Sequence, residues 1–96
     1  MKERILCAAI WFEDGEKNVH QPKNITTGFV VCGRRHHNCI AIVDVLGESV
    51  IGYKEHIQGF LTSEDRFVDR KEGAKIAYAA QQTKEFESPL FSEDLY

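Results

Sequence analysis

The segment Cys32-Gly33-Arg34-Arg35-His36-His37-Asn38-Cys39 gathers two thiols, two guanidiniums and two imidazoles. Three chemistries use such groups. A zinc site takes thiolates and imidazoles, but its paired ligands are spaced by roughly two to four residues and a second pair joins them from elsewhere. Here six residues separate Cys32 from Cys39, no second pair is apparent, and Arg34 and Arg35 repel a dication. A cysteine nucleophile needs a histidine and an oxyanion-stabilising group brought to it by the fold. No nucleophile elbow marks this chain, and the carboxylate pairs Glu13-Asp14, Glu64-Asp65 and Glu93-Asp94 are adjacent in sequence, so their side chains diverge. The third chemistry is anion capture, in which guanidinium forks match phosphate oxygens and the N–H groups of a helix start add donors.

A second arginine pair, Arg66 and Arg70, brackets the entry to the last helix, where the same dipole advantage holds. Phe60 lies across the hairpin read at residues 58–68, placed to stack on a base. Each residue also has a plain structural reading: Arg70 as a surface ion pair with Asp69 or Glu72, Phe60 as core. Taken together, Arg34, Arg35, His36, Phe60, Arg66 and Arg70 suggest a phosphate-and-base pocket with no catalytic residue, no metal and no cofactor. The expectation is a binding protein and not an enzyme.

The elements that must position these residues follow from the hydrophobic pattern. Residues 5–12 form an apolar run of strand length, read as a central strand buried on both faces. His20-Gln21-Pro22-Lys23-Asn24 is a loop, because proline restricts its own φ and the residue before it. Gly28-Phe29-Val30-Val31-Cys32 reads as the second strand, followed by a helix through Ile40, Val43 and Leu46 that stops at Gly47. Residues 58–68 read as a hairpin turning at Ser63-Glu64-Asp65, with Phe60 and Thr62 on one face and Leu61 on the other. Asp69 and Glu72 make a capping-box pattern for a helix over about 70–82, with Ala74, Ala77, Tyr78 and Gln81 along a face. After Ser88-Pro89, the tail should dock through Leu90, Phe91, Leu95 and Tyr96. Gly52-Tyr53-Lys54-Glu55 has no decisive pattern. The predicted architecture is α+β, a small mostly antiparallel sheet with two helices packed against it, in a single domain over residues 1–96.

Bulk properties narrow the class. With 96 residues, 43% apolar and 28% charged, the chain builds one core, and its small size favours oligomerisation. A net charge of −3 argues against long nucleic acid or an anionic membrane surface as partner. Residues 1–40 carry six Lys/Arg against four Asp/Glu and residues 41–96 six against eleven, so positive charge concentrates at Arg34-Arg35-His36-His37. No apolar run approaches the ~20 residues that span a bilayer, and the start is too short in its apolar part for a signal peptide, which predicts a cytoplasmic protein. Cys7, Cys32 and Cys39 are odd in number and read as free buried thiols.

The combination Gly33-Arg34-Arg35-His36, Gln58-Gly59-Phe60, Arg66-Phe67-Val68-Asp69-Arg70 and the ending Ser92-Glu93-Asp94-Leu95-Tyr96 resembles the phage Thoeris anti-defence protein 1 family. That resemblance implies a sponge, which binds and sequesters a cyclic ADP-ribose isomer, and in some members cyclic oligonucleotides, without cleaving it. It implies that Arg35 contacts phosphates, that Phe60 stacks on adenine, and that Arg66 and Arg70 close the pocket. It also implies a homo-oligomer, dimer or larger, in the cytoplasm of the infected bacterium. Gln58 departs from it, standing where an apolar residue is expected. The rival reading is a protein-interaction module that occludes a host factor through the acidic second half and the tail around Phe91 and Tyr96.

Overall fold

Consecutive apolar residues cannot all face one side of a strand, so a segment such as 5–12 needs cover on both sides. The computed structural model describes residues 2–13, 15–46, 56–86 and 88–95, and in it that segment is β1 (Ile5–Phe12). β2 (Phe29–Gly33), β3 (His56–Thr62) and β4 (Phe67–Asp69) join it in a four-stranded sheet of order β2-β1-β3-β4, every neighbouring pair antiparallel. β1 is therefore central, as its apolar run predicts. α1 (His36–Leu46) follows β2 and packs against β2 and β1, and α2 (Arg70–Ala79) follows β4 without a gap. This is the predicted α+β architecture.

Both helices cover one face of the sheet. A bulge between Ile5 and Cys7 puts Ile5 on the same face as Ala8, Ile10 and Phe12. These residues pack with Phe60 and Val68 from the hairpin, Cys39 and Val43 from α1, and Ala74 and Ala77 from α2. Phe60 is completely buried, which contributes roughly 1.5–3 kcal/mol. A Cβ on Gly73 would stand 2.9 Å from the Phe60 ring, so glycine lets α2 settle onto it.

The other face is covered at one end by the connection 13–28. Pro22 is buried there, and Trp11 Nε1 donates to Thr27 O at 3.0 Å. Gln21 Oε1 accepts from Val30 N on β2 at 2.8 Å, while Asn24 donates to Phe67 O at 2.7 Å and accepts from Phe67 N at 2.8 Å on β4. The loop is thus fastened to both outer strands and closes over Trp11 and Phe67, whose ring centroids are 6.3 Å apart. Gly28 takes φ +83°, and a Cβ there would collide with Phe12 O and Trp11 Nε1.

One helix boundary and two burial expectations differ from the sequence reading. α2 ends at Ala79 and not near residue 82, because Gln81 turns to φ 60° and sends Gln82 back to the sheet. There Gln82 Oε1 accepts from Ile5 N at 2.7 Å and Gln82 Nε2 donates to Ile5 O at 2.8 Å, so one side-chain amide stands in for a strand partner at the β1 edge. Tyr78 and Gln81 are accordingly exposed, not part of a buried stripe. Burial of the thiols holds for Cys39 alone, since Cys7 is half-buried and Cys32 exposed on the face the helices do not cover. The expected stop at Gly47, the segment Gly52-Tyr53-Lys54-Glu55 and Tyr96 lie outside the described residues. Among the described residues no helix is long and apolar enough to cross a membrane.

Candidate anion-binding site

The two helices begin side by side. At the start of α1, Arg35 O accepts from Asn38 N at 3.0 Å and Cys39 N at 3.3 Å, and Asn38 Oδ1 accepts from Arg35 N at 3.1 Å. Asn38 thereby serves the turn as a short polar cap, which fixes where Arg34 and Arg35 leave the sheet. At the start of α2, Asp69 is the N-cap and its carboxylate accepts from Glu72 N at 2.8 Å, the forward half of the expected box. The first turn of each helix leaves N–H groups without intrahelical partners and carries the positive end of the dipole.

His36 joins the two starts. Its Nε2 stands 2.7 Å from Gly59 O, an oxygen that only accepts, so Nε2 carries the proton and donates. Nδ1 is left to accept, and Arg70 Nη2 donates to it at 3.3 Å. The same Nη2 donates to Gln58 Oε1 at 2.9 Å. The imidazole is buried and meets the Phe60 ring edge-on, centroids 5.1 Å apart. Burial holds its pKa below the ordinary 6.5, the Gly59 carbonyl and Glu93 pull it up, and Arg70 pushes it further down. A neutral His36 is what both hydrogen bonds require.

Arg70 is held on its remaining sides as well. Its guanidinium carbon lies 4.7 Å from the centroid of Phe91, and its carbonyl accepts from Leu90 N at 3.1 Å, so the C-terminal tail is pinned to the start of α2. Leu90 is completely buried, while Phe91 stays 44% exposed with Arg70 across its ring. The Nε of Arg70 is buried without a hydrogen-bond partner among the described residues.

A family model described as phage T4 y16D protein matches residues 4–96. The chain belongs to the phage T4 y16D protein family. No curated protein and no solved structure matches it. The family match supplies the phage origin that the short motifs suggested.

Of the six sequence-derived site residues, His36 and Arg70 touch, and Arg34 and Arg35 lie in the turn that leads into His36. Phe60 and Arg66 do not join them. Phe60 lies on the core face beneath His36 and has no surface left for a base. The strand alternation that put Phe60 and Thr62 together also put both inside, because α2 covers that face. Arg66 is at the other end of the hairpin, roughly 13 Å from Arg70 along the strand at ~3.3 Å per residue. There it donates Nε and Nη2 to both carboxylate oxygens of Glu3, at 2.8 and 2.7 Å. Glu3 also accepts from Thr62 Oγ1 at 2.6 Å, and these partners, Arg66 foremost, hold its pKa at about 2. Arg66 is a structural clamp on the N-terminal segment.

Sequence reasoning missed Gln58 and Phe91 as members of the site. Gln58 shares the inward parity of Phe60 and Thr62, so a polar residue there was the available sign of a buried polar partner. Phe91 was expected to dock, but its place under a particular arginine depends on a contact across 21 residues of chain, 70 to 91. Cys32 and Cys39 lie on opposite sides of the sheet, and among the described residues no group of three His, Cys, Asp or Glu side chains is placed to hold a metal ion.

Proposed function

We propose that this phage protein binds an anionic cyclic nucleotide signal and sequesters it without cleaving it, in the manner of the Thoeris anti-defence proteins its motifs resemble. The ligand assigned first is the cyclic ADP-ribose isomer, with cyclic oligonucleotides second. The observation that supports the reading is the His36–Arg70 contact, which sets two helix N-termini, a preoriented guanidinium and the Arg34-Arg35 turn at one place. Arg34, Arg35 and Arg70 meet the phosphates in this reading, and Phe91 replaces Phe60 as the aromatic surface beside them. The site works in the cytoplasm of the infected host and is completed by assembly of two or more copies.

The test is recovery. Protein incubated with the cyclic ADP-ribose isomer, freed of unbound ligand and then heated should release the ligand chemically unaltered. Release of a hydrolysed product would move the protein into the enzyme class, and no retained ligand would end the sponge reading.

A second reading is favoured by a different surface. Tyr78 and Phe86, each about half exposed at 50% and 52%, meet edge to face at 5.8 Å, an aromatic pair suited to a host protein. Pull-down of a host factor that survives Arg35→Ala/Arg70→Ala and is lost in Tyr78→Ala/Phe86→Ala would favour occlusion over sequestration.

A further inference from the structure

The face of the sheet away from the helices carries a pair of thiols. The β1–β2 register sets Ala9 opposite Cys32 and Ala8 opposite Gly33, so Cys7 is the diagonal neighbour of Cys32 on the same face. The two thiols are near enough for each to shift the other's pKa, Cys7 downward and Cys32 upward. The connection 13–28 covers the Trp11 end of this face, whereas at the Cys7 end Leu6 is 51% exposed and Cys32 is exposed. The third thiol is out of reach on the other side, where Cys39 Sγ donates to Arg35 O at 3.6 Å and to Ala8 O at 3.8 Å in the core.

We propose that Cys7 and Cys32 are a reversible thiol-oxidation site, which a peroxide converts to an intramolecular disulfide tying β1 to β2. Their roles differ. The neighbouring Cys32 thiol lowers the pKa of Cys7 while Cys7 raises that of Cys32, so Cys7 is the better source of thiolate. The Cys7 thiolate attacks one oxygen of hydrogen peroxide. The O–O bond breaks, Cys7 becomes a sulfenic acid, and the departing hydroxide takes a proton to become water. The Cys32 sulfur, giving up its proton, then attacks the Cys7 sulfur. The S–O bond breaks, and the second hydroxide leaves as water with that proton. Two thiols lose two electrons in total, and one peroxide gains them. The bond fastens the strand that delivers Arg34 and Arg35 to the centre of the sheet.

The experiment treats the reduced full chain with equimolar hydrogen peroxide, blocks remaining thiols in acid, and maps peptides by mass spectrometry. The expected result is loss of two hydrogens, one Cys7–Cys32 peptide link, an alkylated Cys39, reversal by dithiothreitol and a raised melting temperature. Cys39→Ala should keep the link. Cys32→Ser should instead leave a Cys7 sulfenic acid trappable by dimedone. Both thiols still alkylated, a link that includes Cys39, or a Cys32–Cys32 bond between two copies would overturn the proposal.

Discussion

His36 is the residue on which the site depends, and its protonation has a readable cost. Its folded pKa lies below the unfolded value of 6.5, so the unfolded chain takes up the proton first as pH falls. The stability His36 contributes is complete above about 6.5 and is lost as pH drops through its lowered folded value. Glu3 adds a second, lower window: its stabilisation is present above the ordinary 4.5 and is lost as pH falls towards about 2. Urea midpoints measured against pH should therefore show two acid limbs, with Glu3→Gln flattening the lower and His36→Phe the upper. Phe60 separates core from contact. Phe60→Ala should cost about 3–5 kcal/mol, whereas the milder Phe60→Leu should leave ligand affinity unchanged, because the ring has no exposed face. A loss of affinity in a well-folded Phe60→Leu protein would restore Phe60 as a base plate.

Among the elements, α2 does two jobs, closing the core through Gly73, Ala74 and Ala77 and presenting Arg70. Asp69→Ala removes its cap and should destabilise the chain by about 1 kcal/mol, read as a lowered melting temperature. Gln82→Ala opens the β1 edge at Ile5 and should raise amide exchange at Ile5 more than at Phe60. The strands, the two helices and the docking of the tail were legible from period and punctuation alone, because each is a local pattern of apolar spacing, glycine and proline. What could not be read locally were the pairings set by register. Asn24 with Phe67, Gln58 with Arg70 and Arg66 with Glu3 join residues 43, 12 and 63 positions apart. The same limit explains the candidate site: the Arg34-Arg35-His36 turn and Arg70, grouped from the sequence, meet in the structure, while Arg66 and Phe60 were assigned to the group by closeness in sequence and are separated from it by the geometry of the hairpin.

Taken as a whole, the molecule presents an apolar face that a small monomer does not need. Ile42 and Val45, three residues apart on one side of α1, are 43% and 86% exposed, and such a pair on the helix that positions His36 suits contact with a second copy. Light scattering should give a dimer or larger assembly, and Val45→Lys should shift it towards monomer without lowering the melting temperature of the monomeric fold. A monomer at all concentrations would remove assembly from the account.

The central claim is that the paired helix starts hold an anionic cyclic nucleotide. Calorimetric titration with the cyclic ADP-ribose isomer tests it most directly, using the native chain, Arg35→Ala/Arg70→Ala and Phe60→Leu. Submicromolar binding is expected for the native and Phe60→Leu proteins, with a loss of at least about tenfold, or ~1.4 kcal/mol, in the double arginine variant. No heat with this ligand or with cyclic dinucleotides, or equal affinity in the double variant, would contradict it.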